Sequence, residues 1–293
     1  MATRESRAAT REAPTEVGEA EARVRAALRE IGGGVVALSG GGDSALVLAL
    51  AAREWPRGRC VAVTSRSESL ADGELADARA QAAAAGVEHV VLAGTEVDLD
   101  AFRRNAPDRC FHCKDTLYAA ARTLAEQRGL PWVVDGTNTD DLGDHRPGLA
   151  AADRHGVRSP LVEAGLTKPW VRALARSIGL DTWDKPSESC LSSRFPYGTE
   201  ITPAALSRVA AAERVLKEMG FRSVRVRVHD PIARIEVPAA DLPALLAPGV
   251  RDRVVAGLKA LGFVYVALDL EGFRSGSMNE PLRPGPSGEL PVL

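Results

Sequence analysis

The chain of 293 residues contains no apolar run approaching the roughly 20 residues a membrane helix needs. Its beginning, Met1 to Ala20, is polar and has no apolar stretch of the signal-peptide kind. Residues 1–18 therefore read as a disordered or loosely helical tail, and a cytoplasmic protein without membrane attachment is expected. Net charge is scarce as well: 37 Lys and Arg against 39 Asp and Glu leave −2. That balance argues against a general nucleic-acid binder, which is usually clearly basic. Arg greatly outnumbers Lys, so local anion sites built from guanidinium forks remain open. Cysteines number four, Cys60, Cys110, Cys113 and Cys190. In a cytosolic chain this long, a close pair serves metal or redox chemistry more often than a structural disulfide. No internal repeat is visible.

What the sequence does hold is enough apolar side chain for a real core, at 45% hydrophobic residues, in one large or two modest domains. Helical periodicity runs from Val17 to Ile31 and breaks at Gly32–Gly34. A short apolar run, Val35 to Leu38, ends in Ser39-Gly40-Gly41-Gly42-Asp43-Ser44, and Ala45 to Arg53 follows as a helix of strong formers. Arg59 to Thr64 reads as a second buried strand, Gly73 to Ala85 as a helix stopped at Gly86, Glu88 to Leu92 as a third strand, and Trp132 to Asp135 as a fourth. This alternation predicts an α/β domain over 19–198, a Rossmann-like parallel sheet covered on both faces, whose ligands bind beyond the carboxyl ends of the strands. The pattern changes near Pro196. A helix from Pro203 to Met219, strands Val224–His229 and Ile232–Val237, a helical stretch Leu242–Leu261 interrupted at Pro248-Gly249, and a strand Phe263–Leu270 predict a smaller α+β domain over 199–280. Residues 281–293 read as a flexible tail.

Successive glycines between a strand and a helix let the backbone approach an anion, which N–H groups and the helix dipole then hold. Ser39 and Ser44 add hydroxyl donors. The Gly-Lys-Ser/Thr of a Walker loop is missing. Ser39–Ser44 resembles instead the PP-loop, Ser-Gly-Gly-x-Asp-Ser, of the ATP pyrophosphatases. That resemblance implies ATP and Mg²⁺ binding, with pyrophosphate released as AMP passes to a substrate oxygen. It makes Ser39, Gly40, Gly41, Gly42, Asp43 and Ser44 ATP-binding positions. Thr64 and Ser65, at the end of the second strand, and Gly136, Thr137 and Asn138, after the fourth, fall where such folds contact the nucleotide.

Cys110 and Cys113 form a C-x-x-C turn that can place two thiolates on one metal, with Arg109 and Lys114 positioned to stabilise them. Cys190 lies in Pro186–Gly198, a segment too polar and Ser-rich for a core strand and so read as a functional loop. Cys60, inside an apolar strand, reads as a small core hydrophobe. A zinc half-site completed by His112, or a redox disulfide, are competing readings of the pair; zinc needs two further ligands, and no second C-x-x-C exists. A [4Fe–4S] cluster usually takes four cysteines. Three would leave one iron open to carry sulfide, which makes Cys110, Cys113 and Cys190 a coherent set.

Together, Ser39–Ser44, Pro107–Lys114, Asp144–Leu149, Cys190–Gly198, Val224–Val237 and Leu268–Gly276 resemble the LarE family of pyridinium-biscarboxylate mononucleotide sulfur transferases, which help to build a nickel-pincer nucleotide cofactor. The resemblance spans nearly the whole chain from the glycine loop to Arg274. It implies adenylation of a pyridinium carboxylate and replacement of the AMP by sulfur. The cysteine triplet implies the cluster-bearing version of the family, with Cys190 and Asp43 catalytic. A phosphorylated substrate implies a phosphate clamp. Arg225 and Arg227 alternate along one strand and so share a face, and Arg274 follows another strand; guanidinium forks match phosphate oxygens. The family pattern adds Glu213 and Glu236 near the site, a possible sulfide donor as partner, and a homo-oligomer. His112, His145 and His229 sit inside motifs without a required role, and Trp132 and Trp170 read as packing residues. Three rival readings are a tRNA-thiolating PP-loop enzyme, an amidating one, and a non-catalytic nucleotide sensor. The first is opposed by the net charge, the second and third by the placed cysteines.

Overall fold

The computed structural model describes residues 14–71, 73–143, 146–186, 188–274, 277 and 279. The tail expected over 1–18 lies largely, and that over 281–293 wholly, outside them, as do Asp144, His145, Ser187, Ser275 and Gly276.

Helix α1 (Pro14–Ile31) leads into β1 (Gly34–Ala37), followed by α2 (Gly42–Glu54), β2 (Cys60–Arg66), α3 (Glu74–Ala85) and β3 (Glu88–Ala93). A short α4 (Asp100–Arg103) precedes the long α5 (Arg109–Gln127), then β4 (Trp132–Val134). The strands form one parallel sheet in the order β3-β2-β1-β4. All four residues of β1 are buried, as expected of a central strand covered on both faces. On one face, Leu46, Leu50 and Ala51 of α2 pack with Val24 and Leu28 of α1. On the other, Tyr118, Ala121 and Ala125 of α5 pack on Val35, Val61 and Val133. Three further helices, α6 (Gly148–Arg154), α7 (Pro160–Glu163) and α8 (Lys168–Ser177), complete this layer structure. None was singled out from the sequence: α6 opens at Gly148, α7 is a single turn opening at Pro160, and α8 has Pro169 at its second position.

The remainder is α9 (Pro203–Glu218), β5 (Arg225–His229), β6 (Ile232–Glu236), α10 (Leu242–Leu246), α11 (Pro248–Ala260) and β7 (Tyr265–Leu268). β5 and β6 pair antiparallel, and β7 joins β6 in parallel. Thr202 caps α9, its hydroxyl accepting from Ala205 N, and Pro203 sits at the first position, where its missing N–H is harmless. The expected interruption at Pro248 is the boundary between α10 and α11.

Two local expectations change. Cys110 and Cys113 stand at the start of α5, one helical turn apart, rather than in a turn, because Pro107-Asp108 starts a helix that Lys114 to Gln127 sustain. β2 runs on to Arg66, so Thr64 and Ser65 lie inside it; both pair in register with β3. Among the described residues no helix is long and apolar enough to cross a membrane.

Candidate active site

The glycine loop leaves β1 at its carboxyl end and enters α2 at Gly42. Ser44 Oγ lies 3.1 Å from Ser39 Oγ and donates to the Gly41 carbonyl at 3.2 Å, while Gly41 N–H donates to Ser39 Oγ at 3.2 Å. Ser39 and Ser44 thus shape the loop from inside. Asp43, in the first turn of α2, carries two partners: Lys168 Nζ forms an ion pair with Oδ1, and Asn138 Nδ2 donates to Oδ2 at 3.3 Å. Asn138 is buried and is itself fixed by Asp141, whose Oδ2 accepts its N–H at 3.1 Å. Burial, with the charge of Asp43 adding, raises the Asp141 carboxyl above its ordinary range against the pull of Arg146 and Lys168. Asp141 Oδ1 is also paired with Arg146 at 2.9 Å, so Asp43, held between Lys168 and Asn138 beside the loop, is the carboxylate placed to meet a magnesium ion arriving with ATP.

Gly136 packs directly on the loop: a Cβ there would lie 2.6 Å from Ser44 N. Asp135 holds this turn, accepting from Tyr118 Oη at 2.8 Å, Thr137 N and Oγ1 at 3.1 and 2.7 Å, and Ser159 Oγ at 2.7 Å. Thr64 is buried, its hydroxyl donating to the Leu38 carbonyl at 2.6 Å and lying 2.8 Å from His89 Nε2. Its side chain is thereby engaged within the sheet. A cavity of about 530 Å³ opens at the ends of β2 and β3, lined by Arg66, Ser67, Glu68, Leu92 and Gly94.

Cys110, Cys113 and Cys190 are free thiols. They lie within electrostatic reach of one another, Cys190 acting on both others. Burial pushes the Cys110 and Cys113 thiols up. Cys190 adds to the rise at both, and the carboxylate of Glu96 adds to it at Cys113. Arg109 and Lys114 act on Cys110 in the expected stabilising direction, but burial outweighs them, so both thiols are held protonated at neutral pH. The Arg109 guanidinium is also directed elsewhere, bonded to Asn105 Oδ1 and stacked 5.3 Å from the centre of the Tyr197 ring. Among the described residues no three His, Cys, Asp or Glu side chains form a ready site for a single metal ion. In a four-iron cluster each cysteine binds a different iron, so its ligands stand wider apart than donors around one ion. Three free thiols that act electrostatically on one another, two of them one helical turn apart, are by donor chemistry the kind of set such a cluster takes. Cys60 lies away from this group, where burial alone pushes its thiol up to about 12.

Two segments carry the cysteines, and Asn105 ties them together. This buried residue, with φ 53°, donates from Nδ2 to the Pro196 carbonyl at 2.7 Å, and its own carbonyl accepts from Gly198 N at 3.0 Å. Arg194 closes the Cys190 loop from the other side. Fully buried, it forks onto Glu213 at 2.7 and 3.0 Å and donates from Nη1 to the carbonyls of Ser189, at 2.8 Å, and Cys190, at 3.2 Å.

Arg225 and Arg227 stand on β5 beside this loop, and their environments differ. Arg227 forks onto Glu236 at 2.8 and 3.0 Å and donates to the Ser193 carbonyl at 2.6 Å. Arg225 is equally buried, stacks 4.4 Å over Phe273, and has no carboxylate or hydrogen-bond partner among the described residues. Burial, then Arg194 and Arg227, lower it to about 10, which still leaves it charged at neutral pH. Of these three buried guanidiniums, Arg194 and Arg227 each fork onto a buried carboxylate and Arg225 does not. Arg274 is more exposed and pairs with Glu271 at 2.7 Å. The sequence reading did not single out Lys168, Asp141, Asn105 or Arg194. The signal for Lys168 was there, in Thr167-Lys168-Pro169 opening a helix; Arg194 was visible only as an Arg inside the Cys190 motif.

Residues 22–124 match the asparagine synthase family model. The chain is 42% identical to an uncharacterized protein of Synechocystis sp. over 86% of this chain and 94% of that one. It is 42% identical to pyridinium-3,5-bisthiocarboxylic acid mononucleotide synthase of Lactiplantibacillus plantarum, over 89% of this chain and 94% of that protein. A probable tRNA sulfurtransferase of Methanothermobacter thermautotrophicus is 29% identical over 69% of this chain and 51% of its own length.

Proposed function

The chain belongs to the LarE family of sulfur-inserting synthases and is an enzyme with a PP-loop ATP pyrophosphatase domain, and from that membership we propose that it adenylates a pyridinium carboxylate mononucleotide and exchanges the AMP for sulfur. The observation that supports this reading is the mutual electrostatic reach of Cys110, Cys113 and Cys190, with the Cys190 segment packed against β5, whose Arg225 stacks on Phe273 and has no carboxylate fork.

In this mechanism a substrate carboxylate oxygen attacks the α-phosphorus of ATP, and pyrophosphate leaves. Loop N–H groups from Gly41 to Ser44 hold the charge that develops on the leaving group; a magnesium ion arriving with ATP would be held by Asp43 and would add Lewis-acid stabilisation there. Lys168, paired with Asp43 in the structure, stands where its ammonium would serve the phosphates. Arg225, with Arg274, binds the phosphate of the mononucleotide and orients its carboxylate; Glu213 and Glu236 hold the neighbouring guanidiniums of Arg194 and Arg227 in place, so Arg227 supports the clamp beside Arg225 without turning to the ligand. Sulfur then attacks the acyl carbon, the C–O bond to AMP breaks, and a thiocarboxylate forms. A [4Fe–4S] cluster on Cys110, Cys113 and Cys190, when bound, supplies an open iron on which sulfide from a donor can be held. The product is a precursor of a nickel-pincer nucleotide, made in the cytoplasm by a homo-oligomer.

The test is anaerobic purification, iron and sulfide analysis, and incubation with Mg-ATP and pyridinium-3,5-biscarboxylic acid mononucleotide. We expect brown protein with about four irons per chain, pyrophosphate release that depends on the nucleotide, and a sulfur-bearing product by mass. Asp43→Ala abolishes that release with the fold intact. Thiolation of tRNA without nucleotide-dependent pyrophosphate release would replace this reading with its nearest rival.

A further inference from the structure

The segment between α8 and Cys190 touches the glycine loop twice. Thr182 O would lie 3.0 Å from a Cβ placed at Gly42. Lys185 Nζ donates to the Gly40 carbonyl at 2.9 Å while pairing with Glu74 and Asp77 of α3, each at 2.6 Å. Gln81, one turn further along α3, donates to the same carbonyl at 2.7 Å. A trans peptide points its C=O and the following N–H in opposite directions. Two donors on the Gly40 carbonyl therefore fix the Gly41 N–H toward the loop interior, where it meets Ser39 Oγ. Gly40 needs φ +85° for this, and a Cβ there would lie 2.4 Å from the Glu74 carbonyl. The same lysine stands only five residues before Cys190. Beyond it, Glu188 bonds Lys217 at 3.1 Å and lies 3.5 Å from Arg194, the residue that encloses the Cys190 carbonyl. The Cys190 loop is thus anchored at one end to the glycine loop and at the other to α9.

We propose that Lys185 is a positioning residue that couples the two halves of the reaction: it presents the Gly41 N–H to the ATP phosphates and holds the Cys190 loop against the glycine loop. The proposal deepens the function given above and rests on it for the identity of the nucleotide. Gln81 shares the first task and has no part in the second, so the two residues separate the tasks. Removing Lys185 alone leaves Glu74 buried without its cation, a costly arrangement; Lys185→Met with Glu74→Gln removes that charge and serves wherever the single variant is unstable.

The experiment uses the full chain, with Mg-ATP as probe and amide hydrogen exchange read over residues 188–194. In the absence of nucleotide, Lys185→Met, alone or with Glu74→Gln, loses protection in this segment while the β1 and β2 amides keep theirs; Gln81→Leu leaves the segment protected. Both substitutions weaken Mg-ATP binding, by about tenfold each, and only the Lys185 variants lose the extra protection that ATP confers on 188–194. Unchanged protection of 188–194 in the nucleotide-free Lys185 variants overturns the proposal, as does an equal loss in Gln81→Leu. Failure of the wild-type chain to bind Mg-ATP would count against the proposed function instead, and the nucleotide-free comparison would still decide whether the tether exists.

Discussion

At the scale of single residues, the informative contrast is between guanidiniums with a carboxylate and one without. Arg194 and Arg227 have their forks filled by Glu213 and Glu236, so neither can turn to a ligand without leaving a buried acid behind. Arg225 is buried, charged and stacked on Phe273. Burying a charge without a partner is unfavourable, and an anionic ligand would repay it. Arg225→Met should therefore weaken the phosphorylated substrate by about 2 kcal/mol, some thirtyfold, the range of charge-assisted bonds, and leave Mg-ATP affinity within about twofold. Titrations with each ligand check this; an equal loss for both would mark a folding defect. Cys60 gives the second residue-level prediction. Its thiol is raised from 9.0 to about 12 by burial, so the folded state retains a proton that the unfolded state gives up sooner. The stability this group contributes is complete below about pH 9 and is lost as pH climbs toward 12. Cys60→Val should flatten that alkaline limb in urea titrations at a series of pH values, with little effect at pH 7.

At the scale of elements, the strands were the legible part. Val35–Leu38, Arg59–Thr64 and Trp132–Asp135 are short apolar runs, each with Gly or Pro just before it, and each forms a strand because both faces of the sheet are covered. The glycine loop was legible by its resemblance to the PP-loop motif, Ser-Gly-Gly-x-Asp-Ser, placed between such a strand and a helix. The first turn of α5 was not, because Arg109–Lys114 lacks both a side-chain cap and an apolar period. Nor did the polar end of β2, Ser65–Arg66, read as strand; its register with β3 is what makes it one. The partners of the site residues escaped for a further reason. Asp43 meets Lys168 from 125 residues away, and Gly40 meets Lys185 from 145; no local pattern announces contacts that only the packing of α8 and its successor onto α2 creates. Gly136 shows how tightly such contacts constrain an element. A methyl group there would meet the backbone of Ser44 at 2.6 Å, and backbone has little room to yield. Gly136→Ala should lower stability by about 1–3 kcal/mol and abolish Mg-ATP binding, since the displaced atoms belong to the loop itself. Calorimetry together with thermal unfolding tests it, and retained ATP affinity would show that the turn after β4 is not part of the nucleotide site.

At the scale of the whole molecule, the division expected at residues 198 and 199 crosses a continuous core. Leu191 and Phe195 of the Cys190 segment, together with Ala71, Val97 and Phe102 from the parallel-sheet half, pack in one cluster with Leu206, Val209, Val226 and Ile235 of α9, β5 and β6. The sequence showed the change of pattern near Pro196 because it is a change of secondary-structure order; it could not show shared burial. The ionic links run the same way, from Arg194 to Glu213 and from Lys217 to Glu188. Cutting here would expose the fully buried Phe102 and the nearly buried Phe195 and Leu191, and would leave Arg194 without its acid. Burial of each such side chain is worth about 1.5–3 kcal/mol, so losing several at once consumes most of the margin by which a domain is stable. A fragment of residues 19–198 should therefore be insoluble or bind a hydrophobic dye strongly, whereas the intact chain should unfold in a single thermal transition. A soluble, monomeric fragment with native-like tryptophan emission would show that the parallel-sheet half stands alone, and that the cysteine loop is held in place by its own half of the molecule.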